Sequence, residues 1–333
     1  MKPQSARRER AERRRSFALA HLSDPHLAGW SVDRPWSLAN KRLKGWLSWQ
    51  HHGSRIHLAH VLELMLDDIR KQALDHIVVT GDLVNIALPQ EFENAARWLH
   101  RLGPSDRVTV IPGNHDAYVS VPQAEGIARW RDYMTDLGWN GPDGAATIDS
   151  FPFVRRVGPL ALVGLTTAVP MPLFVGAGRL GTAQLDVLRD TLTQLEATGA
   201  CRVVLIHHPP YAYGRRGLLD VRQFVDVVRE AGAELILHGH THVAGLRWIG
   251  KTPVIGVPSA SALRHGDKDA AAYNLYRISC AEQAWKIAVE VREMSDDLGH
   301  LVWTKSFDLI IPAMTEMALK PSISDGLRLA SVK

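Results

Sequence analysis

Five short runs of apolar and β-branched residues recur along this chain with little alternation of polar residues: Phe17 to Leu22, His76 to Thr80, Val108 to Ile111, Val203 to Ile206 and Ala233 to Leu237. A strand with one wet face alternates; a run without alternation is covered on both faces. Amphipathic helical patterns alternate with these runs. Residues 57 to 73 place Leu58, Val61, Leu62, Met65 and Ile69 at helical spacing, and Pro89 opens a second helix through Arg101 as a first-turn proline. Thr182 to Thr198 and Leu219 to Ala231 are two more, and Phe153 to Leu165 reads as a hairpin about Gly158-Pro159. The pattern predicts an α/β protein whose buried strands bring their carboxyl ends to one rim, where open α/β sheets place their sites.

Each run ends in residues able to hold a metal. The first leads to Asp24-Pro25-His26, the second to Gly81-Asp82, and the third to Gly113-Asn114-His115-Asp116. The fourth leads to His207-His208-Pro209 and the fifth to Gly239-His240-Thr241-His242. Any one of these strings is common in unrelated chains. Two imidazoles one residue apart, as at His240 and His242, equally describe loop histidines bonded to backbone or solvent. All five in order, each at a strand end, form a much stronger signal.

The set Asp24-x-His26, Gly81-Asp82, Gly113-Asn114-His115-Asp116, His207-x-Pro209 and Gly239-His240-x-His242 resembles the calcineurin-like metallophosphoesterases, over roughly residues 17 to 260. The resemblance is nearest to the class III cyclic-nucleotide phosphodiesterase-like branch. It implies a two-layer mixed β-sandwich flanked by helices, with a dinuclear metal centre. Carried over by motif, Asp24, His26 and His242 would hold one divalent ion, Asn114, His207 and His240 the other, and Asp82 would bridge them. The donor chemistry agrees: oxygen and imidazole without thiolate suit Mn or Fe, with Zn also compatible. The implied reaction is hydrolysis of a phosphodiester by a metal-bridging hydroxide. His115, beside a ligand position, is the candidate for leaving-group protonation or transition-state stabilisation. Asp116 is a candidate to orient it, or equally a turn carboxylate. The motif selects His207 over His208, leaving His208 as a neighbour that could contact the substrate or support the ligand residues. His21 and His238 are expected to make core hydrogen bonds.

Composition narrows the remainder. The two cysteines, Cys201 and Cys280, cannot form a disulfide framework, which favours a reducing cytoplasm. No apolar run approaches the ~20 residues of a membrane span, and the N-terminal arginines precede too short an apolar stretch for a signal peptide. The net charge of +4 is uneven: residues 1 to 15 hold seven Lys or Arg against Glu9 and Glu12, leaving the rest near minus one. A disordered basic arm, 1–15, is therefore expected, and specific nucleic-acid binding is not. The phosphoesterase domain is expected over 16–311, followed by a loosely attached tail, 312–333. Segments 243–249, 254–257, 272–278 and 285–291 read as antiparallel strands of the second sheet.

Residues 27 to 56 form an insertion that starts at the active-site rim and holds four of the ten tryptophans. Trp36, Ala39, Leu43, Trp46, Leu47 and Gln50 fall near one helical face; Lys41, Arg42 and Lys44 lie elsewhere. Packing on the scaffold, a substrate cap, and an interfacial helix on an anionic membrane, acting through 1–15 and 36–50, all fit this pattern. Trp36, Arg215, Arg216 and His265 join His208 as candidate substrate contacts. The leading expectation is a phosphodiesterase, with a 3',5'-cyclic nucleotide as the nearest substrate class. The alternatives are a peripheral-membrane pyrophosphatase or phosphodiesterase on a lipid-linked substrate, similar to the UDP-diacylglucosamine hydrolases, and a non-catalytic metal-binding scaffold.

Overall fold

The computed structural model describes residues 16–29, 31–32, 35–135, 151–212, 214–281 and 284–312. The expected basic arm 1–15, Trp30 and the expected tail beyond 312 lie outside the described residues. Twelve strands are described: β1 Phe17–Leu22, β2 His76–Val79, β3 Val108–Val110, β4 Phe153–Val157, β5 Leu160–Gly164, β6 Cys201–Leu205, β7 Leu235–His238, β8 Gly245–Ile249, β9 Thr252–Gly256, β10 Ala272–Ala281, β11 Ala284–Met294 and β12 Leu301–Pro312. The helices used below are α1 Arg42–Ser48, α2 Ala59–Lys71, α3 Pro89–Leu102, α4 Thr182–Glu196 and α5 Val221–Ala231.

Two six-stranded mixed sheets result, ordered β12-β11-β10-β1-β2-β3 and β4-β5-β6-β7-β9-β8. The runs without alternation are the parallel strands. β1, β2 and β3 are parallel neighbours in the first sheet, and β5, β6, β7 and β9 in the second. Both faces of β6 and β7 are covered. Val203, Leu205, Leu235 and Leu237 join the core with β1 to β3, α2 and α3, while Val204, Ile206 and Ile236 pack with α4 and α5. That two-sided burial explains the absence of alternation.

The strands after the last histidines differ from expectation. They do not all enter the second sheet: β8 and β9 do, with β9 parallel to β7, while β10 and β11 add to β1 in the first. Hydropathy alone could not assign them, because an antiparallel hairpin reads the same in either sheet. β10 carries Tyr273, Leu275 and Ile278 into the first core, and β12 extends that edge through Pro312, where the tail was expected to begin.

Candidate metal centre

The carboxyl ends of β1, β2 and β3 meet those of β6 and β7, so the site straddles the two sheets. Asp24 and His26 follow β1, Asp82 follows β2, Asn114 follows β3, His207 follows β6, and His240 and His242 follow β7. Eight non-glycine residues among those described have positive φ, and five of them are Asp24 (51°), His26 (38°), Asp82 (56°), His240 (69°) and His242 (54°). Such backbone is costly for L residues and persists where surrounding contacts enforce it. Here it turns side chains off the strand ends toward a common point. The flanking glycines permit the approach. A Cβ on Gly113 would lie 2.3 Å from Asp82 Oδ1, and one on Gly239 would lie 2.4 Å from Asp24 Oδ2.

Two groups of ligand atoms form, each within 4.8 Å: Asp24, His26 and His242, and Asp82, His207 and His240. One oxygen, Asp82 Oδ2, serves both sides, 3.8 Å from His26 Nε2 and 3.3 Å from His207 Nε2. Asn114 Oδ1 is 3.2 Å from His207 Nε2, on the second side. Asp24 Oδ1 is buried without a hydrogen bond, 3.2 Å from His242 Nε2, while Oδ2 accepts the His240 N–H at 2.9 Å. A buried carboxylate oxygen without a donor fits a cation. The supporting contacts fix the imidazoles: His207 Nδ1 donates to the Thr80 carbonyl at 2.6 Å, and His240 Nε2 to the Arg216 carbonyl at 2.9 Å. Each leaves the other nitrogen for a metal.

Charge completes the fit. Burial would raise the Asp24 and Asp82 carboxyls, but the adjacent imidazoles, His242 for Asp24 and His207 for Asp82, hold both below the ordinary carboxylate range. Burial, with His115 nearby, lowers His26 to about 3, and burial with His207 lowers His240 to about 4. Two carboxylates beside the neutral imidazoles of His26 and His240 are donors a divalent ion requires. Burial also disfavours the His207 cation, but Asp82 outweighs it and raises His207 to about 9, so a metal there would compete with a proton.

His115 borders this centre: its ring lies 4.8 Å from that of His26, and it joins His26 and Asp82 in a third cluster. Nδ1 donates to the Asn85 carbonyl at 2.7 Å. Asp116 does not orient it. Both Asp116 oxygens are taken by the amides of Asp82 (2.9 Å), Leu83 (3.0 Å), Val84 (3.0 Å) and Gly113 (2.8 Å). The carboxylate therefore ties the loop after β2 to the loop after β3. His208 is also corrected: it is buried, with Nδ1 against Thr167 Oγ1 at 2.6 Å and Nε2 donating to the Gly176 carbonyl at 3.1 Å, so neither nitrogen is left for a substrate. His21 bonds Thr80 Oγ1 and His238 bonds Tyr211, as expected of core histidines.

Above the centre opens a cavity of about 660 Å³, and the insertion forms one of its walls. Lys41, Lys44, Gly45, Ser48 and Trp49 face it, opposite the loop 169–176, with Arg216 and His265 also in the wall. Trp36 and Arg215 are not. Trp36 is 72% exposed outside the cavity, and the Arg215 carbonyl accepts the Gly176 N–H at 2.9 Å. On the apolar helical face Leu43 and Leu47 are exposed, which goes against the reading that this face packs on the scaffold. The basic residues do the anchoring. Lys41 Nζ donates to the Met171 carbonyl at 2.6 Å and lies over Tyr118; Arg42 donates to the carbonyls of Ile86 (3.0 Å) and Ala87. Periodicity alone cannot reveal this, because a short helix at a site mouth packs through long cationic stems.

His57 was not anticipated. It is buried, with its ring 4.6 Å from His26 and stacked 5.8 Å from Trp49, and Nδ1 is 2.8 Å from Ser261 Oγ. A Cβ on Gly53 would press into the Trp49 ring, so the backbone there approaches that indole closely. Trp49, stacked on His57, also lines the cavity. The sequence signal for His57 was only its position between the insertion and α2.

Among known proteins, the chain is 24% identical over 200 residues to a Synechococcus sp. protein named "Probable cyclic nucleotide phosphodiesterase", covering 58% of this chain and 68% of that one. A dimetal phosphatase from Danio rerio shares the fold at a TM-score of 0.57 and 14% identity, over 90% of this chain and 99% of that one. The calcineurin-like phosphoesterase family model matches residues 17–244, the stretch holding every ligand named above. The chain belongs to the calcineurin-like phosphoesterase family and is a metal-dependent phosphoester hydrolase.

Proposed function

We propose that this hydrolase is a phosphodiesterase acting on substrates with a nucleotide-sized alcohol portion, a 3',5'-cyclic nucleotide being the member of that class to which the name of the Synechococcus relative points. The observation that carries the reading is the cavity of about 660 Å³ between cap and centre. Small-molecule sites occupy about 300–1,000 Å³, far more than a lone phosphate fills. Asp24, His26 and His242 would hold one divalent ion and Asn114, His207 and His240 the other, with Asp82 shared; Mn and Fe suit these donors and Zn is compatible. Ions held there supply Lewis acidity toward a phosphate oxygen and lower the pKa of water.

The chain's own residues do the rest. His115 Nδ1 is committed to the Asn85 carbonyl, so Nε2 is the nitrogen available to pass a proton to the departing oxygen. Arg216 and His265 reach the substrate from the wall, and the Lys41 and Arg42 anchors hold the cap over it. A panel of cyclic nucleotides, linear diesters, monoesters and a nucleotide-linked lipid, assayed with Mn²⁺, tests this. Diesters should exceed monoesters by at least about tenfold in kcat/KM, roughly 1.4 kcal/mol of discrimination. Preference for monoesters would overturn the reading.

One observation favours a second reading, a peripheral-membrane enzyme with a lipid-linked substrate. Trp36, Leu43, Leu47 and Phe174 are exposed, and residues 35 to 56 hold Lys41, Arg42, Lys44 and Arg55 with no acid. Basic and apolar residues together suit an anionic lipid surface. No helix among the described residues is long and apolar enough to cross a membrane. Co-sedimentation with phosphatidylglycerol vesicles that is lost in Leu43→Asp/Leu47→Asp supports this reading; absence of co-sedimentation in the wild type removes it.

A further inference from the structure

Apart from Asp82, the cavity wall contains no Asp or Glu among the described residues, yet it carries Lys41, Lys44, Arg216 and Lys268. Two of the four are committed. Lys41 donates to the Met171 carbonyl at 2.6 Å, and Lys268 Nζ lies 3.5 Å from the Asp267 carboxylate. Lys44 and Arg216 form no ion pair among the described residues, and both are exposed to the cavity mouth.

Both cations line the cavity, and contacts link the segments that carry them. Lys44 Nζ lies 5.3 Å from the centre of the Phe174 ring. Phe174 is 73% exposed and has φ of 64°, a conformation bulky residues rarely adopt, which presents its ring under Lys44 at the mouth. Two residues on, the Gly176 N–H bonds the Arg215 carbonyl, and the Arg216 carbonyl accepts from His240 Nε2, tying Arg216 to the centre.

A phosphodiester carries one negative charge, which a centre of two divalent ions against Asp24 and Asp82 already meets. Two further cations without carboxylate partners exceed that requirement. Arginine and lysine at a cleft mouth, uncompensated by acids, focus potential on an anion. We propose that Lys44 and Arg216 form a second anion subsite beside the centre, so that the favoured substrate is a phosphodiester bearing a further phosphate on its alcohol portion. The inference rests on the phosphodiesterase reading and narrows it: a cyclic mononucleotide, with one charge, lacks the group this subsite takes.

The test compares thymidylyl-(3'→5')-thymidine with and without a 5'-phosphate, which share the scissile diester and differ in the added anion. The wild type should favour the phosphorylated dinucleotide by at least about tenfold in kcat/KM, and the ratio should approach unity in Lys44→Gln/Arg216→Gln. In parallel, the inhibition constant of inorganic pyrophosphate, relative to that of orthophosphate, should rise by about tenfold in the same variant. Equal cleavage of both dinucleotides by the wild type, or a preference that survives the double substitution, overturns the subsite and leaves the phosphodiesterase reading intact. Cleavage of neither overturns the subsite alone where bis(p-nitrophenyl) phosphate is still hydrolysed, and both readings where no diester is.

Discussion

The Asp116 carboxylate accepts the backbone N–H of Asp82 at 2.9 Å and thereby positions the side chain whose Oδ2 lies near both His26 and His207 in the candidate metal centre. It also accepts the amides of Leu83, Val84 and Gly113. Asp116→Ala strands these buried donors at about 1–3 kcal/mol for each group left unpaired, less than additively. Urea unfolding should show a loss of at least about 3 kcal/mol together with weakened metal uptake. A change below about 1 kcal/mol would contradict the positioning role.

His115 is expected to behave differently. His115→Ala leaves all seven proposed ligands in place, so metal content should be unchanged while kcat falls by about 10²–10⁴-fold, the range of general acid–base catalysis. The loss should be smaller for p-nitrophenolate, which leaves without a proton, than for an alkyl alcohol. Equal losses for both leaving groups would remove His115 from proton transfer.

Acid stability should depend on His76. This side chain is buried against Thr109 Oγ1, and burial, with Arg155 nearby, lowers it to about 3. Its folded value lies below the unfolded value of about 6.5, so the unfolded chain binds the proton more readily. The contribution is fully present above pH of about 6.5 and is lost as pH falls toward about 3, by about 1.4 kcal/mol per pH unit. Urea unfolding of wild type and His76→Gln across that window should give stability curves whose separation changes with this slope. Parallel curves would contradict it.

Much of this was legible in the sequence, for physical reasons that differ by element. Strands buried on both faces lose alternation, so β1, β2, β3, β6 and β7 announced themselves, and the residues at their ends could be placed together. The helices from Ala59, Pro89, Thr182 and Val221 followed from periodicity to within a few residues. Sheet membership of β10 and β11 was not legible, because it is set by contacts distant in sequence. Adjacency to a motif does not reveal where a side chain's bonds go, so the sequence left two roles open for Asp116 and for His208; one bonds four amides and the other is enclosed. The insertion was recognised as a segment, but not which of its residues anchor it: Lys41 and Arg42 hold it, while Leu43 and Leu47 are exposed.

The central claim is a dinuclear centre bridged by Asp82, and the most direct test measures metal content and hydrolysis of bis(p-nitrophenyl) phosphate on the same preparations of wild type and Asp82→Ala. The wild type should hold two divalent ions per chain. In an Asp82→Ala protein with unchanged far-ultraviolet circular dichroism, metal content and hydrolysis should be lost together. Full hydrolysis by that variant, or unaltered metal content, would contradict the account.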